Sequence, residues 1–272
     1  NKVGLRLFGN LTYSKNKIVF RDEPAMQYAY QKSEGTRYGE FYGYIAEGYF
    51  QSEEEIKKSP RQMRELAPGD IKYKDLNDDG VIDANDQCYL GKSWFPSWSY
   101  GMGFNINYHN FDLALFFQGV SDVSIMANGG SIDTGNGDWG ASGVGIVPFT
   151  GMGLNPSNVI TKALDRWTAD NPRADAWYPR MTANATTNDN NYVNSTHWLK
   201  DGSYLRLKQA SLGYTLENKK LMDKGIEYLY FYLSGQNLLT FSKFKLWDPE
   251  LGSNGAKYPL SRMVTLGMRV SF

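Results

Sequence analysis

Hydrophobic and polar residues alternate with a period of two along several segments of the chain, which predicts β-strands with one apolar face. In residues 264–272 every second side chain is Val, Leu, Met or Phe, and the residues between them are Thr, Gly, Arg and Ser. Between Leu207 and Ala210 the apolar phase switches, which predicts a β-bulge. The same alternation predicts the other strands over residues 3–13, 100–108, 111–117, 204–215 and 227–236.

The connections between these six predicted strands are alternately short and long. His109-Asn110 forms a tight hairpin, and residues 216–226 make the second short link. Outer-membrane barrels have short periplasmic turns and long extracellular loops. If residue 272 lies at the periplasmic side, every long connection is extracellular. These long connections cover residues 15–97, 121–203 and 242–262.

The predicted fold is therefore all-β. Residues 1–272 are expected to supply the C-terminal strands of a large antiparallel transmembrane β-barrel with long extracellular loops that carry short helices. Six strands cannot close a barrel by themselves, so the plug and the remaining strands are expected outside this chain. Two loop helices are predicted, over residues 56–66 after a capping box of Ser52 and Glu55, and over residues 159–167. A soluble β-sandwich is the alternative fold.

Composition narrows the function classes. The 29 basic and 29 acidic residues balance, so no basic surface for nucleic acid is indicated. Cys88 is the only cysteine, which excludes a disulfide within the chain. No apolar run reaches the roughly 18 residues of a membrane helix. The first residues show no Met and no signal peptide, so we expect the chain to begin within a longer protein.

A twelve-residue segment, 75–86, has the ligand spacing of a calcium loop of EF-hand type. Such a loop needs oxygen ligands at positions 1, 3, 5, 9 and 12, a glycine at position 6 and a backbone carbonyl at position 7. Position 12 is the shorter Asp in place of Glu, and a solvated turn without metal is the alternative. The segment predicts a structural calcium site. The candidate ligands are Asp75, Asn77, Asp79, the carbonyl of Val81, Asp83 and Asp86, with Gly80 at the turn.

Other candidate motifs are weak. The G-x-G-x-x-G match at residues 135–140 has no strand before it and no helix after it, so a loop is favoured. His109 and His197 lack the motifs of a catalytic base, and we expect no enzymatic activity. Four loop aromatics are candidates for stacking on a sugar or clamping a peptide, against the alternative that they pack the loops together. They are Trp139, Trp177, Tyr178 and Trp198.

Many segments resemble the SusC/RagA group of TonB-dependent transporters of Bacteroidetes, over almost the whole chain. Among them are Asp-Gly-Ser-Tyr-Leu-Arg-Leu-Lys at 201–208 and Ser-Gly-Gln-Asn-Leu at 234–238. The remaining matching segments are 68–77, 79–83, 100–108, 111–119, 166–168, 178–180, 212–214, 247–250, 258–260 and 270–272.

The resemblance implies a nutrient importer in the outer membrane, built as a barrel of roughly 22 strands around an N-terminal plug. A SusD-like surface lipoprotein would cover its extracellular mouth. The TonB complex would act through the missing plug, and oligosaccharides or peptides would be the ligands. Phe272 would be the C-terminal aromatic that the barrel-insertion machinery recognises. Two other functions stay open: a secreted, calcium-stabilised β-sandwich that binds glycans, and a surface hydrolase.

Overall fold

The structure is a computed structural model, and it describes residues 3–128, 161–181, 189–253, 255 and 258–272. Within these residues, five short segments are 3-10 turns: Ala29–Gln31, Ala84–Asp86, Thr161–Leu164, Asp189–Tyr192 and Pro249–Leu251. Two α-helices are short, α1 (Glu53–Lys58) and α2 (Lys219–Met222). The strands are β1 (Val3–Tyr13), β2 (Glu40–Gly43), β3 (Ala46–Tyr49), β4 (Ile71–Tyr73), β5 (Cys88–Ser93), β6 (Trp98–Tyr108), β7 (Phe111–Ser121), β8 (Ser124–Met126), β9 (Leu199–Asp201), β10 (Tyr204–Leu216), β11 (Tyr228–Ser242) and β12 (Met263–Ser271).

Six long strands form one antiparallel sheet in the order β1-β6-β7-β10-β11-β12. These are the six strands that the alternation predicts, each next to its neighbour in that series. The hairpin at His109-Asn110 is confirmed, with Tyr108 paired to Phe111 and His109 at a φ of 53°. β1 and β12 each pair on one side only within the described chain, so the sheet is an open section.

The pairing register aligns like residues across the sheet. Leu5, Ile106, Leu113, Leu212, Leu233 and Leu266 form one row that crosses all six strands. The neighbouring row on the opposite face consists of Arg6, Asn105, Ala114, Ser211, Ser234 and Thr265. Because side chains alternate between the faces of a strand, one face of the sheet is apolar and the other is polar or small. We call them the apolar face and the polar face.

The predicted β-bulge is present in β10. The register shifts between Leu207 and Gln209 against both neighbouring strands. Against β7, whose Phe116 and Phe117 are adjacent, Lys208 is the extra residue. This single insertion explains the change of phase in the sequence, because it moves the apolar positions from one parity to the other.

The long connections fold into a separate body with its own core, which we call the loop body. Three two-stranded sheets, β2-β5, β3-β4 and β8-β9, form its frame. Its buried residues include Tyr44, Tyr73, Tyr178 and Trp198. Polar groups inside this core are hydrogen-bonded: the Tyr73 hydroxyl donates to the backbone carbonyl of Asn190 at 2.6 Å.

The two predicted loop helices are shorter than expected. The Ser52 cap is confirmed because its hydroxyl accepts from the Glu55 amide at 3.2 Å. The prediction that this helix runs to residue 66 is wrong: the backbone turns extended at Ser59, immediately before Pro60. Of the second predicted helix, over residues 159–167, residues 161–164 form a 3-10 turn. Residues 159–160 lie outside the described residues. Within the described ranges, no helix combines the length and apolar character needed to cross a membrane.

Candidate functional site

The apolar face of the sheet is exposed along its length. Leu266 is 80% exposed and Leu5 is 61% exposed, at the two edge strands of the same row. In a β-sandwich these residues would face a second sheet. No part of the described chain covers them, so the arrangement does not support the sandwich alternative.

Aromatic side chains border the apolar face at both ends. At the end with the short links, Phe111 and Tyr214 lie with ring centres 4.7 Å apart. At the end with the long connections, Tyr13 and Trp98 lie with ring centres 4.5 Å apart. Aromatic rings at both borders of an apolar band are typical of strands that cross a bilayer, where such rings occupy the interfaces.

The loop body is fixed to the polar face of β10 by a charged cluster that the sequence analysis did not identify. Arg206 is buried, and its Nη2 donates to both carboxylate oxygens of Asp248 at 2.6 and 2.7 Å. The hydroxyl of Tyr204 donates to Glu250 at 2.6 Å. The sequence signal for this cluster was an arginine on the polar face of a predicted strand. Its partners could not be identified, because they lie in a loop about 40 residues away.

The candidate calcium loop has the backbone shape that its sequence predicts. Gly80 has a φ of 80°, and its amide donates to Asp75 Oδ2 at 2.8 Å. Asp86 accepts from the amides of Leu76 and Asp83, at 2.7 and 2.8 Å, which ties the two ends of the loop together. The carboxylates thus hold the turn in place through backbone amides.

Two observations bear on a metal in this loop. Asp75 Oδ1 is buried and has no hydrogen-bond partner within the described chain, which is the state of an atom that a cation would satisfy. The donors are all oxygens, as Ca²⁺ requires. Among the described residues, however, no three acidic, histidine or cysteine side chains converge closely enough to hold an ion. Calcium at Asp75, Asn77, Asp79, Val81, Asp83 and Asp86 stays a prediction.

The candidate stacking aromatics occupy different environments. Tyr178 and Trp198 are buried in the loop body, with ring centres 5.7 Å apart, so neither presents a face to a ligand. These two rings pack the loops together, which is the alternative to ligand contact. Trp177 is partly buried and borders a cleft, whereas Trp139 and the motif at 135–140 lie outside the described residues.

His197 belongs to the core of the loop body and is no surface base. Its Nε2 lies 3.3 Å from the Tyr49 hydroxyl and 3.2 Å from the Trp177 carbonyl. Burial, helped by nearby Lys200, lowers the pKa of His197 to about 4. A neutral imidazole in this position supports packing and hydrogen bonding.

Comparison with known proteins gives a consistent result. The chain is 27% identical over 291 residues to TonB-dependent receptor P3 of Formosa agariphila, covering 97% of this chain and 26% of that receptor. It is 30% identical over 241 residues to TonB-dependent receptor P26 of the same organism, covering 83% of this chain and 22% of that receptor. The chain thus spans about a quarter of the length of these relatives. No protein-family model matches it.

Solved structures show the same fold. The structure of the RagAB peptide transporter superposes with a TM-score of 0.69 at 22% identity, over 99% of this chain and 27% of that one. The RagAB peptide importer in its closed-closed state superposes with a TM-score of 0.68 over the same shares. The open sheet is therefore a section of that barrel fold, and the similarity to the Formosa agariphila receptors shows that the chain belongs to the TonB-dependent receptor family.

Proposed function

We propose that this chain forms part of the wall and the extracellular loops of an outer-membrane importer. The observation that carries the proposal is the exposed apolar face backed by a polar one. Lipid is the partner that suits an exposed row of Leu and Ile side chains across six strands. The polar face would then line the interior, where a plug and a passing solute require hydrophilic contacts.

The dimensions of the sheet support this proposal. β6 has 11 residues, from Trp98 at one aromatic end to Tyr108 at the other. At about 3.3 Å per residue the strand is roughly 33 Å long. Tilted by about 40°, it rises about 25 Å, which is the height of the apolar band of an outer-membrane barrel.

The similarity to known proteins supports a proposal for the cargo and the partners. RagAB is described as a peptide transporter, while the names of the Formosa agariphila receptors give no cargo. We propose oligosaccharides or peptides as the ligand class, a SusD-like lipoprotein at the loop body, and TonB acting through a plug outside this chain. Among the four candidate aromatics, Trp177 borders an open cleft of the loop body, and Trp139 and Phe272 keep their predicted roles as proposals.

We propose further that the 75–86 loop binds Ca²⁺ as a structural clip. Support comes from the unpartnered Asp75 Oδ1 and from the positive φ at Gly80, which folds the chain back around a central point. Filling the site would require Asn77 and Asp79 to turn from their backbone contacts toward the ion. Weak sites of about 10⁻⁴ to 10⁻³ M are sufficient outside the cell.

A pair of adjacent substitutions tests the orientation of the sheet. Leu115 lies on the apolar face in the row of Leu7 and Phe104, and its neighbour Ala114 lies on the polar face. In the full-length receptor, we expect Leu115→Arg to destabilise the barrel by about 2–4 kcal/mol, the cost of Arg at the bilayer midplane. Ala114→Arg is the matched control and should fold normally.

The measurement is the folded fraction recovered in the outer membrane, read from the mobility shift that unheated barrels show on a gel. Equal folded fractions for the two variants would contradict the proposed orientation. Uptake of labelled peptides and oligosaccharides by cells that produce the full-length receptor then distinguishes the two cargo classes.

A further inference from the structure

A cleft of about 610 Å³ opens between the loop body and the end of β11. Its apolar wall is formed by Trp177, Phe244, Leu246 and Leu164, and the last of these is 77% exposed. An exposed leucine beside aromatic rings at the edge of a cleft is an apolar surface without a partner in the described chain. The charged residues around this wall are Lys162, Asp165, Lys200, Asp201, Lys243 and Lys245.

The lysines of this cleft outnumber its carboxylates. Lys162 is neutralised by Asp165 at 2.6 Å. Lys200 donates to the His197 carbonyl at 2.7 Å and lies 5.3 Å from the centre of the Trp177 ring, and no carboxylate pairs with it among the described residues. Burial and nearby Lys162 lower the pKa of Lys200, as expected for an ammonium group that lacks a counter-ion. Lys243 and Lys245 form no ion pair within the described part of the chain either.

Two of the lysines, Lys243 and Lys245, directly follow β11. Leu239 and Phe241 are apolar-face residues of β11, paired with Leu207 and Leu205. Past the end of the strand the exposed positions alternate in the same phase, with Lys243 and Lys245 exposed and Phe244 buried between them. Lys243 therefore lies one residue beyond the end of β11, next to the aromatic border of the apolar face.

We infer that this cleft binds the phosphate-bearing headgroup of an anionic lipid. The inference rests on the proposed function, because it requires a bilayer around the apolar face. In that position the lysine stems extend along the membrane surface and their ammonium groups reach the headgroup layer. Lys200, Lys243 and Lys245 contact the phosphate, and Leu164 with Leu246 contacts the upper part of the acyl chains.

The position of the cleft favours a lipid over a soluble acidic cargo. A cargo approaches the polar face, where the charge of Arg206 is already paired with Asp248 and Glu250. Lys243 and Lys245 instead follow the apolar-face residue Phe241 by two and four positions in the chain. An exposed leucine at the rim also suits an acyl chain better than a hydrated solute.

The test measures lipid binding to the full-length receptor in detergent by native mass spectrometry. The probes are dioctanoyl phosphatidic acid, dioctanoyl phosphatidylcholine and inorganic phosphate. We expect tighter binding of phosphatidic acid than of phosphatidylcholine, and a loss of at least about tenfold in the triple variant K200Q/K243Q/K245Q. The matched control is K219Q/K220Q/K224Q in the short link at the other end of the sheet, which should keep wild-type affinity.

Equal affinity for both lipids, or no loss in the triple variant, would overturn the inference. Inorganic phosphate that competes as well as phosphatidic acid would also overturn it, because the cleft would then bind soluble anions. Fractionation separates this failure from that of the proposed function. A receptor outside the outer membrane defeats both, whereas a membrane-embedded receptor with unchanged lipid binding defeats the cleft assignment alone.

Discussion

Arg206 on β10 and Asp248 in the connection after β11 form the contact that fixes this connection to the barrel wall. Nη2 of Arg206 lies 2.6 and 2.7 Å from the two carboxylate oxygens of Asp248, and the arginine side chain is 1% exposed. Glu250 stands 3.7 Å from Nη1 as a second, longer partner. A buried guanidinium depends on these carboxylates, because an unpaired buried charge is costly.

Asp248→Ala should therefore release the loop after β11. We expect local opening of residues 243–253 to become easier by about 2–3 kcal/mol, somewhat below the range for a fully buried pair because Glu250 remains. Hydrogen exchange of that peptide in the full-length receptor measures the change. Asp175→Ala serves as control, since its pair with Arg173 is exposed and 3.7 Å long. Unchanged exchange in Asp248→Ala would show that other contacts hold the loop.

Calcium should protect the 75–86 loop. With a dissociation constant of about 10⁻⁴ to 10⁻³ M, 10 mM Ca²⁺ stabilises the bound form by roughly 1.4–2.7 kcal/mol. Hydrogen exchange of this loop with calcium and with a chelator gives the difference. Asp75→Asn should abolish the protection, because it removes the charge while keeping an acceptor for the Gly80 amide.

The control for this prediction is Asp78→Asn. Asp78 is at a position without a ligand role, and its φ of 58° is tolerated by asparagine. This variant should respond to calcium as the wild type does. Protection that is absent in the wild type, or that persists in Asp75→Asn, would remove the calcium proposal.

His197 should make the loop body sensitive to acid. Its pKa in the folded state is about 4, against an ordinary value of 6.5, because burial favours the neutral imidazole. As the pH falls, His197 takes up a proton in the unfolded loop at a higher pH than in the folded loop. The contribution of the neutral imidazole to the stability of the loop body is therefore complete above pH 6.5, declines as the pH falls and is lost below about 4. The total loss is roughly 3 kcal/mol.

Hydrogen exchange of residues 195–201, corrected for intrinsic rates, measures this dependence between pH 4 and 7. His197→Gln should flatten the profile, because it removes the titrating group. His109→Asn, in the hairpin at the other end of the sheet, should leave it unchanged. A profile in His197→Gln with the same slope as the wild type would assign the acid sensitivity to other groups.

The strands were predictable because side chains alternate between the two faces of a strand, so that a sheet with one apolar face gives apolar residues at every second position. The bulge at Lys208 was visible since one extra residue reverses the parity. β11 was predicted to end at Gln236, yet it continues to Ser242. Two residues, Asn237 and Leu238, lie between the paired positions Gln236 and Leu239, where β10 has one. Relative to β7, where the corresponding Phe116 and Phe117 are adjacent, both residues are extra. Two extra residues interrupt the pattern locally and keep the parity, so the alternation concealed the continuation.

The loop body was less predictable because its contacts join distant parts of the chain. Asn190 and Tyr73 meet across 117 positions, and Asp70 pairs with Arg180 across 110. Neither pair has a local spacing rule. The same limit applies to the aromatic residues: composition identified Tyr178 and Trp198 as loop aromatics, but only the packing of the loop body determined that both are buried.

The bulge itself yields a prediction about barrel assembly. Lys208 is the residue that allows Leu205 and Leu207 to share the apolar face with Ala210 and Leu212. If it is deleted while residues 209–216 keep their register, the two leucines turn to the polar face and Arg206 turns to the apolar face. Arginine toward lipid and the loss of its pair with Asp248 both oppose folding. We therefore expect the deletion to lower the folded fraction of the full-length receptor in the outer membrane at least about tenfold.

Lys208→Ala is the matched control, because it keeps the residue count and should fold as the wild type does. Equal folded fractions for the two variants would contradict the role assigned to the bulge.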